Sequence, residues 1–141
     1  MSVKKMMFTL IIVAFACFTT SANAVDMQDG KWEITVQTEM QGTPMKLPPM
    51  TYTQCLTSQN IIPMQDKAGQ QCKFIEKNIS GNPVTWKMRC TGQGMKMDID
   101  GKVNYQNTSF SGNITMRMNN PDGAETIMKQ KISGKRIGDC D

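Results

Sequence analysis

The sequence predicts an all-β protein: an antiparallel meander of about seven strands, strongly curved into a small barrel or half-barrel and held by two disulfides. Three observations carry this expectation. Apolar and polar residues alternate over most of residues 30–134, the period of a strand with one buried face. Clusters of turn residues such as Gly92-Gln93-Gly94 and Asn119-Asn120-Pro121-Asp122-Gly123 interrupt the alternation at short intervals. Beyond the N-terminal stretch no segment is long enough for a covering helix, so a sheet that is apolar on one face has to curl on itself.

The N-terminus joins Lys4-Lys5 to an apolar run from Met6 to Phe18 and ends in Ala22-Asn23-Ala24. A basic start, an apolar stretch too short to span comfortably and a small-x-small ending predict a secretory signal peptide over 1–24, cleaved before Val25. Cys17 fits a lipoprotein site poorly, because bulky Phe15 stands before it with no leucine immediately ahead. The expected mature chain, 25–141, is a single β domain in the periplasm, of a size that buries about 65% of its unfolded surface. Losing Lys4 and Lys5 leaves 14 basic against 12 acidic residues, a net charge of +2 that argues against nucleic acid as a partner.

Trp32, Ile34, Val36, Thr38 and Met40 alternate with polar residues and mark the first strand. Gln41 to Pro44 breaks it, and Pro48-Pro49 holds the chain extended before a short strand around Met50 to Cys55. Thr57 or Ser58 is placed to cap a turn of helix through Ile62, which Pro63 stops, and 64–70 reads as loop. The central hairpin runs from Cys72 to Cys90 around a Ser80-Gly81-Asn82 turn. If Ile79 faces Pro83, then Cys72 stands opposite Cys90, with Phe74, Val84, Trp86 and Met88 on the same face. Lys73, Ile75, Lys77, Lys87 and Arg89 occupy the other face, and Glu76 falls inward opposite Trp86. Three more strands follow: Met95 to Tyr105, Phe110 to Met118, and Ala124 to about Gly134. Short links favour sequential neighbours, and Gly101 and Gly112 sit at apolar-face positions where a sharp bend is permitted.

Of the five cysteines, Cys17 falls in the expected signal peptide, and the four left in 25–141 of an exported chain imply two disulfides, with three pairings available. Opposed strand positions lie about 4.5–5.5 Å apart at Cβ, close to what a disulfide needs, so the hairpin favours Cys72 with Cys90 and leaves Cys55 for Cys140. No Cys-x-x-Cys spacing is present to suggest a thiol oxidoreductase.

Gly30-Lys-Trp32-Glu33, Gln54-Cys55-Leu56-Thr57, Cys72-Lys73, Val84-Thr-Trp86 with Cys90, the Gly92/Gly94 step, Phe110-Ser-Gly112 and the ending from Ser133-Gly134 to Cys140 together resemble the bacterial domain of unknown function 3617 family. The likeness spans essentially the whole mature chain. It implies an exported or membrane-anchored protein of the Gram-negative envelope and no particular activity. Gly30-x-Trp32, with Arg136 just beyond the last strand, is also similar to lipocalin and related calycin barrels, which implies that Arg136 stacks over Trp32 to close one barrel end.

The chain has no histidine, the commonest general base and metal ligand. Asp98 and Asp100 share a strand face in the manner of glycosidase carboxylates, but Lys96 and Lys102 flank them and an ordinary charge ladder accounts for all four. Methionine is the unusual feature, with 11 in residues 25–141. The pairs Met95 with Met97 and Met116 with Met118 each put two thioethers on one face, a donor set suited to Cu(I). The same positions are the apolar face of their strands, where methionine fills irregular interiors or lines adaptable binding surfaces. The basic outer face of the hairpin, with Lys73 opposite Arg89, suits a solvated face or an anionic partner.

These residues lead us to expect a non-enzymatic envelope protein without a cofactor, binding an apolar small molecule or a protein partner. Its ligand would meet Trp86, Met88, Met95, Met97, Met116 and Met118. The alternatives are a Cu(I) metallochaperone using Met95, Met97, Met116 and Met118, and a structural module without a ligand. The mature domain is not expected to span a membrane.

Overall fold

The computed structural model describes residues 25–64 and 69–141; the expected signal peptide and Cys17 lie outside the described residues. Seven strands form one antiparallel sheet: β1 (Gly30–Met40), β2 (Met50–Leu56), β3 (Gln71–Asn78), β4 (Val84–Gly92), β5 (Met95–Gln106), β6 (Ser109–Asn119) and β7 (Glu125–Gly138). Their spatial order is β2-β1-β7-β6-β5-β4-β3. Strands β3 to β7 form the expected meander. The first strand then pairs with the last, Trp32 opposite Arg136 and Ile34 opposite Gly134. That ladder runs β7 on to Gly138, past the expected end at Gly134.

The expected closure into a barrel is not made. β2 and β3 are the two edges, and no ladder joins them. The physical reason lies in 57–64, the described first part of a β2–β3 connection too long for a hairpin, which carries core-forming residues. Instead of joining two paired strands, it delivers Ile61, Ile62 and Pro63 into the interior. The helical turn expected here is absent. Thr57 Oγ1 accepts from the Asn60 N–H at 3.1 Å, and the Thr57 N–H reaches the Asn60 carbonyl, closing a tight non-helical turn.

The apolar face of the sheet holds an aromatic cluster at one end. Trp32 meets the edge of Tyr105 at 6.0 Å across the intervening β7 and β6, and Phe110 lies 5.6 Å from Trp32 and 5.1 Å from Tyr105. Burial pushes the Tyr105 phenol above its ordinary value, so it remains a donor, and it bonds the carbonyl of Ile61. The sheet and segment 57–64 are thereby locked together. Asn82 holds the same strand from outside the ladder, its carboxamide bonding both the N–H and the carbonyl of Tyr105.

Gly101 stands opposite Trp86 on β4, and its empty side-chain position is taken by the indole. A Cβ there would lie 2.1 Å from two ring carbons. At Gly112 a Cβ would come within 2.2 Å of the Lys102 carbonyl, a close approach of backbones between β5 and β6. Gly101→Ala is therefore expected to lower stability by about 2–3 kcal/mol through overpacking, read as a lower urea midpoint at unchanged slope.

Both disulfides form as the hairpin register indicates. Cys72 and Cys90 face each other with Cα atoms 4.0 Å apart, and Cys55 joins Cys140 at 5.7 Å. The second bridge closes a separation of 85 residues and pins the C-terminus against edge strand β2, where Lys31 Nζ also meets Asp141 at 2.6 Å. Removing it with Cys55→Ala and Cys140→Ala should cost about 4.5 kcal/mol in the chain-entropy model. Hydrogen exchange should show faster opening of β2 than of β5.

Candidate functional site

Most methionines of the strands gather on the apolar face away from the aromatic cluster, whereas Met45, Met50 and Met95 are exposed. One cross-strand row runs Met88, Ile99, Met116, Met128 and Met40, through β4, β5, β6, β7 and β1. The next row sets Met97 between Cys90 and Met118. Unbranched thioether side chains fill irregular space loosely, and here a cavity of about 470 Å³ remains. Met64, Met88, Met97, Met116, Ile99 and Phe74 form its apolar wall, the Cys72 to Cys90 bridge adds a sulfur surface, and Ile62 enters from segment 57–64. Gln54 of β2 and Phe74 of β3 line the same cavity, so both edge strands contribute to it.

Of the residues expected to meet a ligand, Met88, Met97 and Met116 are on this wall. Trp86, Met95 and Met118 are not among the lining residues. Trp86 lies buried over Gly101 instead, with its Nε1 lacking a hydrogen-bond partner. Met95 is exposed opposite Gly92 at the strand end, and Met118 faces Met97 in the same cross-strand row, one strand further from Cys90. Sequence reasoning missed Gln54, Asn60, Met64, Gln70 and Phe74 as lining residues. Gln54 carried a legible signal: it is the polar residue in the inward phase of β2, between half-buried Tyr52 and buried Leu56.

Glu76 is not on the inner face. The expected register holds from Cys72 to Phe74, which faces Met88, and then slips, so that Glu76 faces Lys87 and Lys77 faces Trp86. The cause is a bulge at Ile75, whose extra residue turns the remainder of β3 over. Glu76 pairs with Lys87 at 3.4 Å, and Lys77 Nζ stands 5.2 Å from the centre of the Phe74 ring. The same slip turns the expected three-residue loop into the five residues 79–83.

Trp32 and Arg136 stand in register on β1 and β7, but with the sheet open they close no barrel. The Arg136 guanidinium lies against Gly30, donates to the Asp29 carbonyl at 2.9 Å and pairs with Asp139. Trp32 Nε1 donates to the Gln28 carbonyl at 3.2 Å.

Asp98 and Asp100 are each engaged by an arginine on the outer face, not by the flanking lysines. Arg89 grips both oxygens of Asp98 at 2.7 and 3.1 Å, and Arg117 meets Asp100 at 2.6 Å. The Arg89 hydrogen bond holds the Asp98 carboxyl below its ordinary value. Its contribution to stability is thus present at neutral pH and is lost as acidification protonates Asp98. In Arg89→Gln the Asp98 titration followed by NMR should move up to the ordinary carboxylate range. Among the described residues no group of three or more His, Cys, Asp or Glu is placed to hold a metal ion. No helix among them is long and apolar enough to cross a membrane.

Fold and site together define a disulfide-bonded, open antiparallel sheet domain with a methionine-walled cavity. The model of the family described as "Protein of unknown function (DUF3617)" matches residues 27–140, and the chain belongs to that family. No curated protein and no solved structure matches it.

Proposed function

We propose that this is an exported, non-enzymatic binding protein of the periplasm whose cavity holds an apolar small molecule. The observation that carries the reading is the cavity of about 470 Å³ between the sheet and segment 57–64, walled chiefly by methionine, isoleucine and phenylalanine. That volume lies within the size range of small-molecule sites, and a thioether wall adapts to varied apolar shapes. The lack of histidine and the pairing of Asp98 and Asp100 with arginines support a role without catalysis. The signal-like N-terminus and two disulfides support export.

One observation favours a second reading, Cu(I) binding: Met97 stands directly opposite Met118, with Met116 two residues along the same face. Native mass spectrometry of the protein from an oxidising compartment separates the two. The first reading expects a co-purifying mass of a few hundred daltons that is lost in Met116→Trp, where the larger side chain fills the cavity. Specific uptake of one copper, abolished by Met97→Leu with Met118→Leu, would favour the second. An empty, copper-indifferent protein would refute both and leave a protein partner.

A further inference from the structure

The polar groups on the cavity wall define the head of its ligand. Among the described residues lining the cavity none is charged, and apart from the disulfide the polar ones are three carboxamides, Gln54, Asn60 and Gln70. Gln54 comes from β2, and Asn60 and Gln70 lie between β2 and β3, as do Ile62 and Met64; the other methionines of the wall stand on β4 to β6. The neutral amides thus enter the cavity from one part of the chain and most of the thioethers from another. Gln54 Oε1 is also shut off from solvent without a hydrogen-bond partner. A buried carbonyl oxygen left alone is a standing cost that a donor relieves. Gln54 lines the cavity, and the last torsion of a glutamine side chain is broad, so rotation about it can present this oxygen to a ligand.

Among the described lining residues an ionised head would find no opposite charge to replace its lost hydration, whereas a hydroxyl or amide would exchange water for a carboxamide partner. Resting on the apolar-ligand reading above, we propose that the cavity selects an uncharged amphiphile, its apolar part against the methionines and its neutral head donating a hydrogen bond to Gln54.

Calorimetric titration of the delipidated protein with three matched probes tests this: decanol, its isomer methyl nonyl ether, and decanoate. At pH 8 decanol is expected to bind at least about tenfold more tightly than decanoate, and several-fold more tightly than the ether, which cannot donate. At pH 4, where the carboxyl is largely protonated, decanoic acid should approach decanol. Gln54→Met should erase the advantage of decanol over the ether while retaining ether binding. The comparison of probes on the unaltered protein stands even if that variant does not fold. Equal binding of decanoate and decanol at pH 8, or an alcohol preference that survives Gln54→Met, would overturn the selection for a neutral donor and leave the apolar cavity standing. Failure of every probe at both pH values would overturn the cavity reading itself.

Discussion

From Trp32 to Met40 the first strand lies in register with the last, and the rest of the molecule is arranged around that seam. β2 has no other neighbour than β1, and a two-stranded hairpin alone is marginal in water. Only when β1 joins β7 does the hairpin become part of a seven-stranded sheet. The ties that hold the seam are gathered beside it: Cys55 with Cys140, Lys31 with Asp141, and Arg136 with Asp29. Such long-range closure is entropically expensive and slow to find, and a disulfide spanning it removes most of the alternatives.

Much of this was legible in local pattern. Period-two alternation located most of the strands, because most have one buried face, while β3, exposed along its whole length, was legible as the partner of β4 across a turn. It also placed Cys72 opposite Cys90, since the cysteines lie on the correctly registered side of the hairpin. The pattern could not show that Ile75 is an extra residue, because a bulge leaves local composition unchanged, and Glu76 was therefore assigned to the wrong face. Nor could it show which pairing of a meander is left unmade. The absence of a β2 to β3 ladder depends on what Ile61, Ile62 and Pro63 do in three dimensions. The cavity was half legible: the methionines announced it, while Gln54 and Phe74 reach it from the two opposite edge strands, which local pattern does not bring together.

The two halves of the interior differ in how tightly their side chains specify one another. Around Trp32, Tyr105 and Phe110, rigid rings, an anchored phenol and a glycine gap under Trp86 leave little freedom. Across the methionine row, side chains with three rotatable bonds leave space between sheet and loop. Stability is concentrated in one half, and adaptability in the other. A single core serves both because the strands pass continuously from the first region to the second.

An open sheet leaves two rows of unpaired backbone groups, and each edge of this one bears features that discourage an incoming strand. At β3 the bulge at Ile75 breaks the regular repeat of donors and acceptors, and Lys73 and Lys77 bring charge to the same strand. At β2 the edge is only seven residues long, preceded by Pro48-Pro49 and bridged at Cys55 to the C-terminus. The register slip that misplaced Glu76 thus has a second consequence, which concerns neighbouring molecules. It interrupts the template along which one copy would otherwise extend its sheet into the next, and so opposes fibre-like stacking in a crowded compartment.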